Sequence, residues 1–258
     1  MFPNTMMRKN FIMKRLLIAL QFLTVLPLNI RKEIGAQDYG RSLVYFPAIG
    51  MVIGGVLSVV SLSCGFLPVP VAAAIVLIVS ALITGALHLD GFADTCDGFY
   101  GSKPKEETLR IMRDSRIGVM GVVGVTLLLL LKFSLISSLP RDVLWRSLIM
   151  ICCFARWAQT AGCLVPYARN EGKAEAFIKY ARKSDVVRGG IFALIAFGAL
   201  SGLKGIAIFF SSLVPSLVFI RYVRNRIGGM TGDTIGAVSE IAEVSVLFFV
   251  LISGLLWN

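Results

Sequence analysis

The feature that most constrains this chain is a series of long apolar runs, which follow one another from residue 43 to residue 256. Several of them approach the roughly 20 residues that a helix needs to cross a bilayer, where a helix satisfies its own backbone polar groups. Charged residues make up 16% of the chain, whereas soluble domains carry about 25%. The sequence therefore predicts a single all-α domain, residues 1–258, that is an integral membrane helix bundle.

The predicted spans include one helical hairpin, broken near Gly202 and Lys204, and together they give seven crossings. Their limits are 43–66, 69–88, 117–139, 143–165, the hairpin 190–220, and 235–256. The shorter apolar segment 16–30 has basic residues on both flanks, so we predict that it is interfacial or re-entrant. It belongs to a cytoplasmic or interfacial N-terminal segment, residues 1–41, that precedes the transmembrane bundle, residues 42–258.

Lysine and arginine residues concentrate in four segments that this order of spans places on one side of the membrane. The segments are 1–41, 90–116, 166–189 and 221–234, and they carry 21 of the 26 basic residues. Basic loops favour the cytoplasmic side, which we therefore assign to these segments. In a membrane chain, such an excess indicates loops that face anionic lipid, so we expect the bilayer and not nucleic acid as a partner.

A compact acidic motif, LHLDGFADTCDGF, occupies residues 87–99. On a helix, Asp90, Asp94 and Asp97 fall within about 60° of one another, so their carboxylates share one face. Three like charges repel each other unless a hard cation lies among them, and Mg²⁺ prefers such oxygen ligands when it also binds phosphates. We predict a metal site here. The alternative is a helix cap at Asp90, with the other two carboxylates facing water.

The same region carries further candidate residues. His88 points away from the three carboxylates and is either a hydrogen-bonded buried imidazole or a base or substrate contact. In RDSR, residues 113–116, Arg113 and Arg116 flank Asp114, which suits a phosphate-binding fork beside another metal-binding or structural carboxylate. A solvated charged helix is the alternative for this motif.

The motif FARWAQT, residues 154–160, places Arg156 inside an apolar span. A charge at such a position is rare and must face the protein interior or a water-filled cavity, which makes it a functional candidate. The span leads into PYARNEGK, where Arg169 and Lys173 are further candidate anion ligands.

The third polar region, GGMTGDTIGAVSEIAEV, covers residues 228–244 and contains Asp233, Glu240 and Glu243. Glu240 and Glu243 are three residues apart and so share one face of the last span. Carboxylates buried there need a cation, an arginine or a donor-rich ligand. Ligand binding and ion pairing with Arg156 are both open from the sequence alone.

Five motifs, together with the opening LQFLTVLP, resemble those of the cobalamin synthase family, the adenosylcobinamide-GDP ribazoletransferases. They are HLDGFADTCDGF, IMRDSRIG, ARW, PYAR and GGMTGDTIGA, and the resemblance extends from residue 16 to about residue 245. It implies a membrane enzyme that joins adenosylcobinamide-GDP to α-ribazole, or to its 5′-phosphate, and releases GMP. It also implies Mg²⁺ as the cofactor and a bacterial or archaeal cytoplasmic membrane, with the active site facing the cytoplasm.

With this chemistry in view, the candidate residues receive expected roles. The expected metal ligands are Asp90, Asp94, Asp97 and Asp114, and the expected catalytic residues are Asp97 and His88. The expected substrate-binding residues are Arg113, Arg116, Arg156, Arg169, Lys173, Asp233, Glu240 and Glu243. The resemblance leaves open a homo-oligomer or an association with other enzymes of cobalamin assembly.

Two other functions share some of these features. A phospholipid synthase of the CDP-alcohol phosphotransferase type also uses aspartates and Mg²⁺ at a helix mouth, but here Asp94 follows Ala93 and the DGxxAR pattern is not completed. A transporter also buries charges and breaks helices at glycine. Here, however, the charges collect at one predicted face of the membrane and not at its midplane.

Overall fold

A computed structural model describes residues 3–28, 34–172 and 174–256 of the protein. Within these ranges the chain forms eleven α-helices, and the only strand-like pairing is an isolated bridge between Tyr167 and Met230. The helices are α1 (Pro3–Leu23), α2 (Ala36–Ser42), α3 (Phe46–Ser63), α4 (Val69–Thr84), α5 (Leu87–Phe99), α6 (Lys105–Ile111), α7 (Val119–Ser138), α8 (Arg141–Gly162), α9 (Glu175–Lys179), α10 (Lys183–Ile227) and α11 (Gly232–Leu256). A 3₁₀ turn, Leu43–Tyr45, joins α2 to α3. The predicted all-α fold class is confirmed.

Four helical segments in the described part of the chain are long and apolar enough to cross a membrane. They are Ala36–Ser63, Val119–Ser138, Lys183–Ile227 and Gly232–Leu255. Helices α4 and α5 satisfy the same criterion only as a pair, and they are bent by 91° with respect to each other. The chain is therefore a polytopic membrane protein, while the number of seven crossings stays a prediction.

Helix α4 ends where two consecutive residues adopt the left-handed conformation. Gly85 has a φ of 60° and Ala86 a φ of 54°, and a left-handed residue after the last turn is a common helix terminator. The predicted span 69–88 therefore stops at Thr84. The acidic motif therefore lies on a separate helix, α5, which does not continue the direction of α4.

Helix α10 folds back on itself at Gly202, whose φ of 59° and ψ of −139° are not helical. The rings of Phe197 and Phe209 lie 5.4 Å apart, although a straight helix would separate residues twelve apart by about 18 Å. Glycine permits the reversal because it has no Cβ. The hairpin predicted for 190–220 is thus present.

Helix α8 is the central helix of the bundle, and α3 crosses it through two glycines. A Cβ added to Gly50 would lie 2.9 Å from the Cα of Cys153, and one added to Gly54 would lie 2.6 Å from the Cα of Ile149. Small residues four apart permit this backbone approach between membrane helices. Helix α8 was predicted as the span 143–165, but by itself it is not apolar enough to be counted among the membrane-crossing helices. The reason is that it carries charged and polar residues, which the other helices enclose.

Contacts between loops show that the predicted basic segments share one end of the bundle. Arg226 donates a hydrogen bond to the carbonyl of Gly101 at 2.6 Å, which joins segment 221–234 to segment 90–116. The bridge between Tyr167 and Met230 joins segment 166–189 to the same end. The shared face is confirmed for these three segments, and its cytoplasmic orientation stays a prediction.

Helix α1 packs its apolar side into the bundle, where Ile18, Ala19 and Leu23 are buried. Next to them, Lys14 lies 2.5 Å from a carboxylate oxygen of Asp38. In the described part of the chain, α1 is not among the helices that are long and apolar enough to cross a membrane. The interfacial or re-entrant position of 16–30 stays a prediction, and residues 29–30 lie outside the described ranges.

Candidate active site

Helix α5 and the start of α11 cross at close range because both carry glycine at the crossing. A Cβ added to Gly91 would lie 2.8 Å from the Cα of Asp233, and one added to Gly236 would lie 3.3 Å from the Cα of His88. Backbones approach this closely only where side chains are absent. The crossing therefore places the motifs HLDGF and GGMTGD, which are far apart in the sequence, side by side.

A short backbone pairing positions the loop that carries Arg169. The amide of Met230 donates to the carbonyl of Pro166 at 2.8 Å, and the amide of Ala168 donates to the carbonyl of Met230 at 2.9 Å. From this loop, Nη2 of Arg169 reaches Oδ2 of Asp233 at 2.8 Å. Three of the sequence motifs thus meet at one place.

Asp90, Asp94 and Asp233 form an acidic cluster at this crossing. Asp233 is paired with Arg169, whereas Asp90 and Asp94 make no side-chain hydrogen bond or ion pair with another described residue. Partial burial, together with the nearby carboxylates of Asp233 and Asp90, raises the pKa of Asp94 to about 7. The cluster therefore carries negative charge that its surroundings do not balance, and a bound cation would stabilise it.

Asp97 is hydrogen-bonded to the start of α7. Its carboxylate oxygens accept hydrogen bonds from the backbone amides of Gly118, at 2.7 Å, and Gly121, at 2.8 Å. Amides at the start of a helix lack partners within that helix, so Asp97 caps α7 from a neighbouring element. Both oxygens are occupied by protein donors, unlike those of Asp90 and Asp94. The catalytic and metal-binding roles predicted for Asp97 stay predictions.

The RDSR motif lies on the surface beside the cluster. The side chain and the backbone amide of Arg116 donate hydrogen bonds to Asp114, and these bonds lower the pKa of Asp114 to about 2. Arg113 is exposed, and Arg169 links this loop to the site by donating to the carbonyl of Met112 at 3.3 Å. The structure does not bring together the four predicted metal ligands, Asp90, Asp94, Asp97 and Asp114.

Glu240 and Glu243 lie deeper in the bundle, in a buried ion network with two basic side chains. The Nζ atom of Lys132 is 2.5 Å from Glu240 and 2.6 Å from Glu243. The Nη1 atom of Arg156 donates to Glu243 at 2.9 Å and to the Ser239 hydroxyl at 2.6 Å. Two positive and two negative charges therefore balance across α7, α8 and α11. Of the two interpretations left open by the sequence, the contacts observed are those of ion pairing.

Lys132 is a member of this network that the sequence analysis did not identify. The signal was available, because Lys132 interrupts the apolar run LLLLLKFSL in the same way that Arg156 interrupts its own span. Gln159 was also missed. An uncharged polar residue in FARWAQT carries a weaker signal, since membrane helices accommodate such residues in helix contacts.

A cavity of about 240 Å³, called the site cavity below, adjoins the acidic cluster. Its polar lining comprises His88, Asp90, Gln159, Tyr167, Arg169 and Asp233. His88 and Gln159 are only 3% and 1% exposed. The Nε2 atom of His88 and the Oε1 atom of Gln159 have no hydrogen-bond partner among the described residues. Lys173, which was predicted as an anion ligand, lies outside the described residues.

The acidic cluster has the donor set that Mg²⁺ prefers. No three histidine, cysteine or acidic side chains within the described ranges are grouped tightly enough to form a complete metal site. Mg²⁺ does not require one, because it keeps several waters and binds through one or two carboxylates together with substrate phosphates. The unpaired oxygens of Asp90 and Asp94, next to Asp233, fit such a site.

Comparison with known proteins decides the family. The model of the cobalamin-5-phosphate synthase family matches residues 15–251. The chain belongs to this family. The resemblance seen in the motifs is thereby confirmed, and no support is found for a phospholipid synthase or a transporter. No solved structure matches the protein.

Curated relatives that carry the name adenosylcobinamide-GDP ribazoletransferase match almost the full length of the chain. The relative from Acetivibrio thermocellus is 32% identical over 91% of this chain and 96% of its own length. The one from Geotalea daltonii is 35% identical over 92% and 96%. The one from Acinetobacter baumannii is 38% identical over 92% and 96%.

Proposed function

We propose that the protein is a Mg²⁺-dependent transferase that joins adenosylcobinamide-GDP to α-ribazole, or to its 5′-phosphate, and releases GMP. The observation that carries this proposal is the similarity to ribazoletransferases over more than nine-tenths of both chains. The geometry supports it, because the shared end of the bundle combines unpaired carboxylates, an arginine and a cavity.

The reaction is a substitution at phosphorus. A ribose hydroxyl of α-ribazole attacks the phosphorus atom that carries the cobinamide, and the bond from that phosphorus to the bridging oxygen breaks. GMP leaves with the bridging oxygen, and the hydroxyl proton passes to a base. Catalysis of such a step consists mostly of positioning the reactants and neutralising charge.

The residues of the site divide these tasks. Asp90 and Asp94, next to Asp233, would hold Mg²⁺, which would neutralise charge on the pyrophosphate. Arg169 and the exposed Arg113 lie where they can bind phosphate oxygens. The hydroxyl proton goes to a carboxylate of the acidic cluster, because both oxygens of Asp97, the base predicted from the sequence, accept hydrogen bonds from α7.

The site faces the cytoplasm in this proposal. The acidic cluster lies at the end of the bundle where the basic segments meet, and basic segments favour the cytoplasmic side. Nucleotide substrates are made on that side. The bacterial relatives support a location in the cell membrane.

Reconstitution tests the function directly. Protein purified in lipid is incubated with adenosylcobinamide-GDP, α-ribazole and Mg²⁺, and GMP and adenosylcobalamin are measured by liquid chromatography. We expect both products in equal amounts, and no product when EDTA removes the Mg²⁺. Product formed at an undiminished rate in EDTA would contradict the metal dependence, and absence of both products with Mg²⁺ would contradict the proposed reaction.

A further inference from the structure

We propose that the site cavity binds the aromatic base of the nucleoside acceptor, with His88 donating a hydrogen bond to an unsubstituted ring nitrogen of that base. The inference rests on the proposed function and adds the location of one substrate. It commits to a base of the benzimidazole type, which is apolar apart from a single acceptor nitrogen.

The first support is the pair of buried polar atoms without a partner. Buried polar atoms in proteins are nearly always hydrogen-bonded, yet the Nε2 atom of His88 and the Oε1 atom of Gln159 have no partner in the part of the chain that the structure describes. Both residues line the same cavity. The proposal includes the neutral tautomer that carries its hydrogen on Nε2, in which this atom is a donor and suits a ligand that offers an acceptor.

The second support is the size and the apolar part of the cavity. Its volume of about 240 Å³ is below the roughly 300–1,000 Å³ that enclose a drug-sized ligand. It therefore has room for one ring system and not for a corrinoid. Phe22, Leu87 and Ile235 supply apolar surface around the ring.

The chemistry of the lining favours a benzimidazole over the guanine of the other substrate. Guanine presents several donors and acceptors along its edges, and each of them would need a partner in an enclosed site. Among the described residues, the buried unpartnered atoms of this cavity are Nε2 of His88, Oε1 of Gln159 and Nε of Arg169. A base with one acceptor nitrogen matches His88. Gln159 then remains to contact the ribose, and Arg169, which is paired with Asp233, remains to contact phosphate.

The position of the cavity explains how base binding would serve the reaction. Asp90 and Asp233 line the same cavity as His88 and Gln159. A nucleoside whose base contacts His88 therefore places its ribose beside the acidic cluster. The attacking hydroxyl is then held near the pyrophosphate, which is the positioning that substitution at phosphorus requires.

The test compares two acceptors that differ in one atom. α-Ribazole is compared with the corresponding indole riboside, in which a C–H group replaces the acceptor nitrogen. We expect the parent protein to prefer α-ribazole in kcat/KM by about tenfold, which corresponds to the loss of one hydrogen bond. His88→Leu should abolish this preference through a higher KM for α-ribazole, with the KM for adenosylcobinamide-GDP unchanged. His88→Gln, which keeps a donor, should retain part of the preference.

Ser212→Ala is the matched control, because the Ser212 hydroxyl is also buried without a partner among the described residues but lies outside the cavity. It should leave the preference unchanged. An active parent protein that does not distinguish the two acceptors overturns the inference, and this outcome needs no variant to fold. A His88→Leu protein that keeps the preference, or that raises only the KM for adenosylcobinamide-GDP, also overturns it. A parent protein that makes no product from either acceptor overturns the proposed function itself.

Discussion

Asp94 is the residue on which the proposed chemistry depends most. Partial burial of its carboxylate, followed by the nearby carboxylates of Asp233 and Asp90, raises its pKa. We expect Asp94→Asn to lower turnover by at least a hundredfold, or about 3 kcal/mol of transition-state stabilisation. At pH 8 and without Mg²⁺, the unfolding temperature of the variant should equal or exceed that of the parent. The variant lacks the negative charge of Asp94, which is unfavourable in the folded state. Steady-state kinetics and thermal unfolding in detergent measure both effects.

Asp142→Asn is the control for this change, since Asp142 is exposed and lies at the opposite end of the bundle. It should leave turnover within about twofold of the parent, as expected for a surface substitution. A stable Asp94→Asn protein with parental turnover at saturating Mg²⁺ would remove the basis for the metal site.

The raised pKa of Asp94 also predicts how Mg²⁺ binding depends on pH. Without metal, this carboxyl is mainly protonated below its pKa of about 7, so Mg²⁺ must displace a proton there. The Kd for Mg²⁺ should therefore increase as the pH falls, by up to about tenfold for each pH unit below 7. Isothermal titration calorimetry at pH 6 and at pH 8 measures the Kd for Mg²⁺. The dependence should weaken in Asp94→Asn, and a parent Kd that is equal at both pH values would contradict the prediction.

At the scale of elements, the crossing of α5 and α11 decides the geometry of the site. A Cβ on Gly91 would lie 2.6 Å from the carbonyl oxygen of Asp233, so Gly91→Ala must push the two helices apart. A displacement of about 1 Å can cost a hundredfold in rate, and we expect a loss of that order with a folded protein. Gly55→Ala is the matched control, because in the described residues no atom beyond its own turn of helix lies within 4 Å of a Cβ at that position. Equal activities of the Gly91→Ala and Gly55→Ala proteins would contradict the prediction, because the site would then tolerate a larger distance between α5 and α11.

The buried ion network joins three helices, and its charges depend on each other. Lys132→Met leaves Glu240 without its ion partner, and breaking a buried ion pair typically costs about 3–5 kcal/mol. We expect a loss of this size in the free energy of unfolding, measured by denaturant titration in detergent. Adding Glu240→Gln should restore part of the stability, because it removes the unpaired charge. A double variant less stable than Lys132→Met alone would argue against the pairing.

At the scale of the whole molecule, the orientation in the membrane can be tested by labelling. In a background without the five native cysteines, Ser102→Cys lies at the end that carries the site, and Asp142→Cys lies at the other end. A membrane-impermeant maleimide added to intact cells should label the Asp142→Cys protein and not the Ser102→Cys protein. The Ser102→Cys protein should react only after the cells are opened. Labelling of position 102 in intact cells would place the site outside the cytoplasm.

Much of the fold follows from sequence patterns that act locally. Long apolar runs require membrane helices, glycine at 202 permits the hairpin, and the basic residues identify the loops that share one face. The break after Thr84 was not predicted, although Gly85 is a residue type that often ends helices. The second left-handed residue, Ala86, has no comparable signal in the sequence. The ordered motifs were sufficient to indicate the family.

The partners of individual side chains were decided only by the tertiary structure. Helical spacing placed Asp90, Asp94 and Asp97 on one face, but the packing of α7 occupies Asp97 and the crossing of α11 brings Asp233 to the other two. Lys132 meets Glu240 and Glu243 for the same reason. Periodicity defines which side of a helix a residue occupies, whereas the neighbour on that side depends on how distant helices cross. The sequence by itself thus determined the membrane class and the family chemistry, and the helix crossings determined which carboxylates remain available for a metal ion.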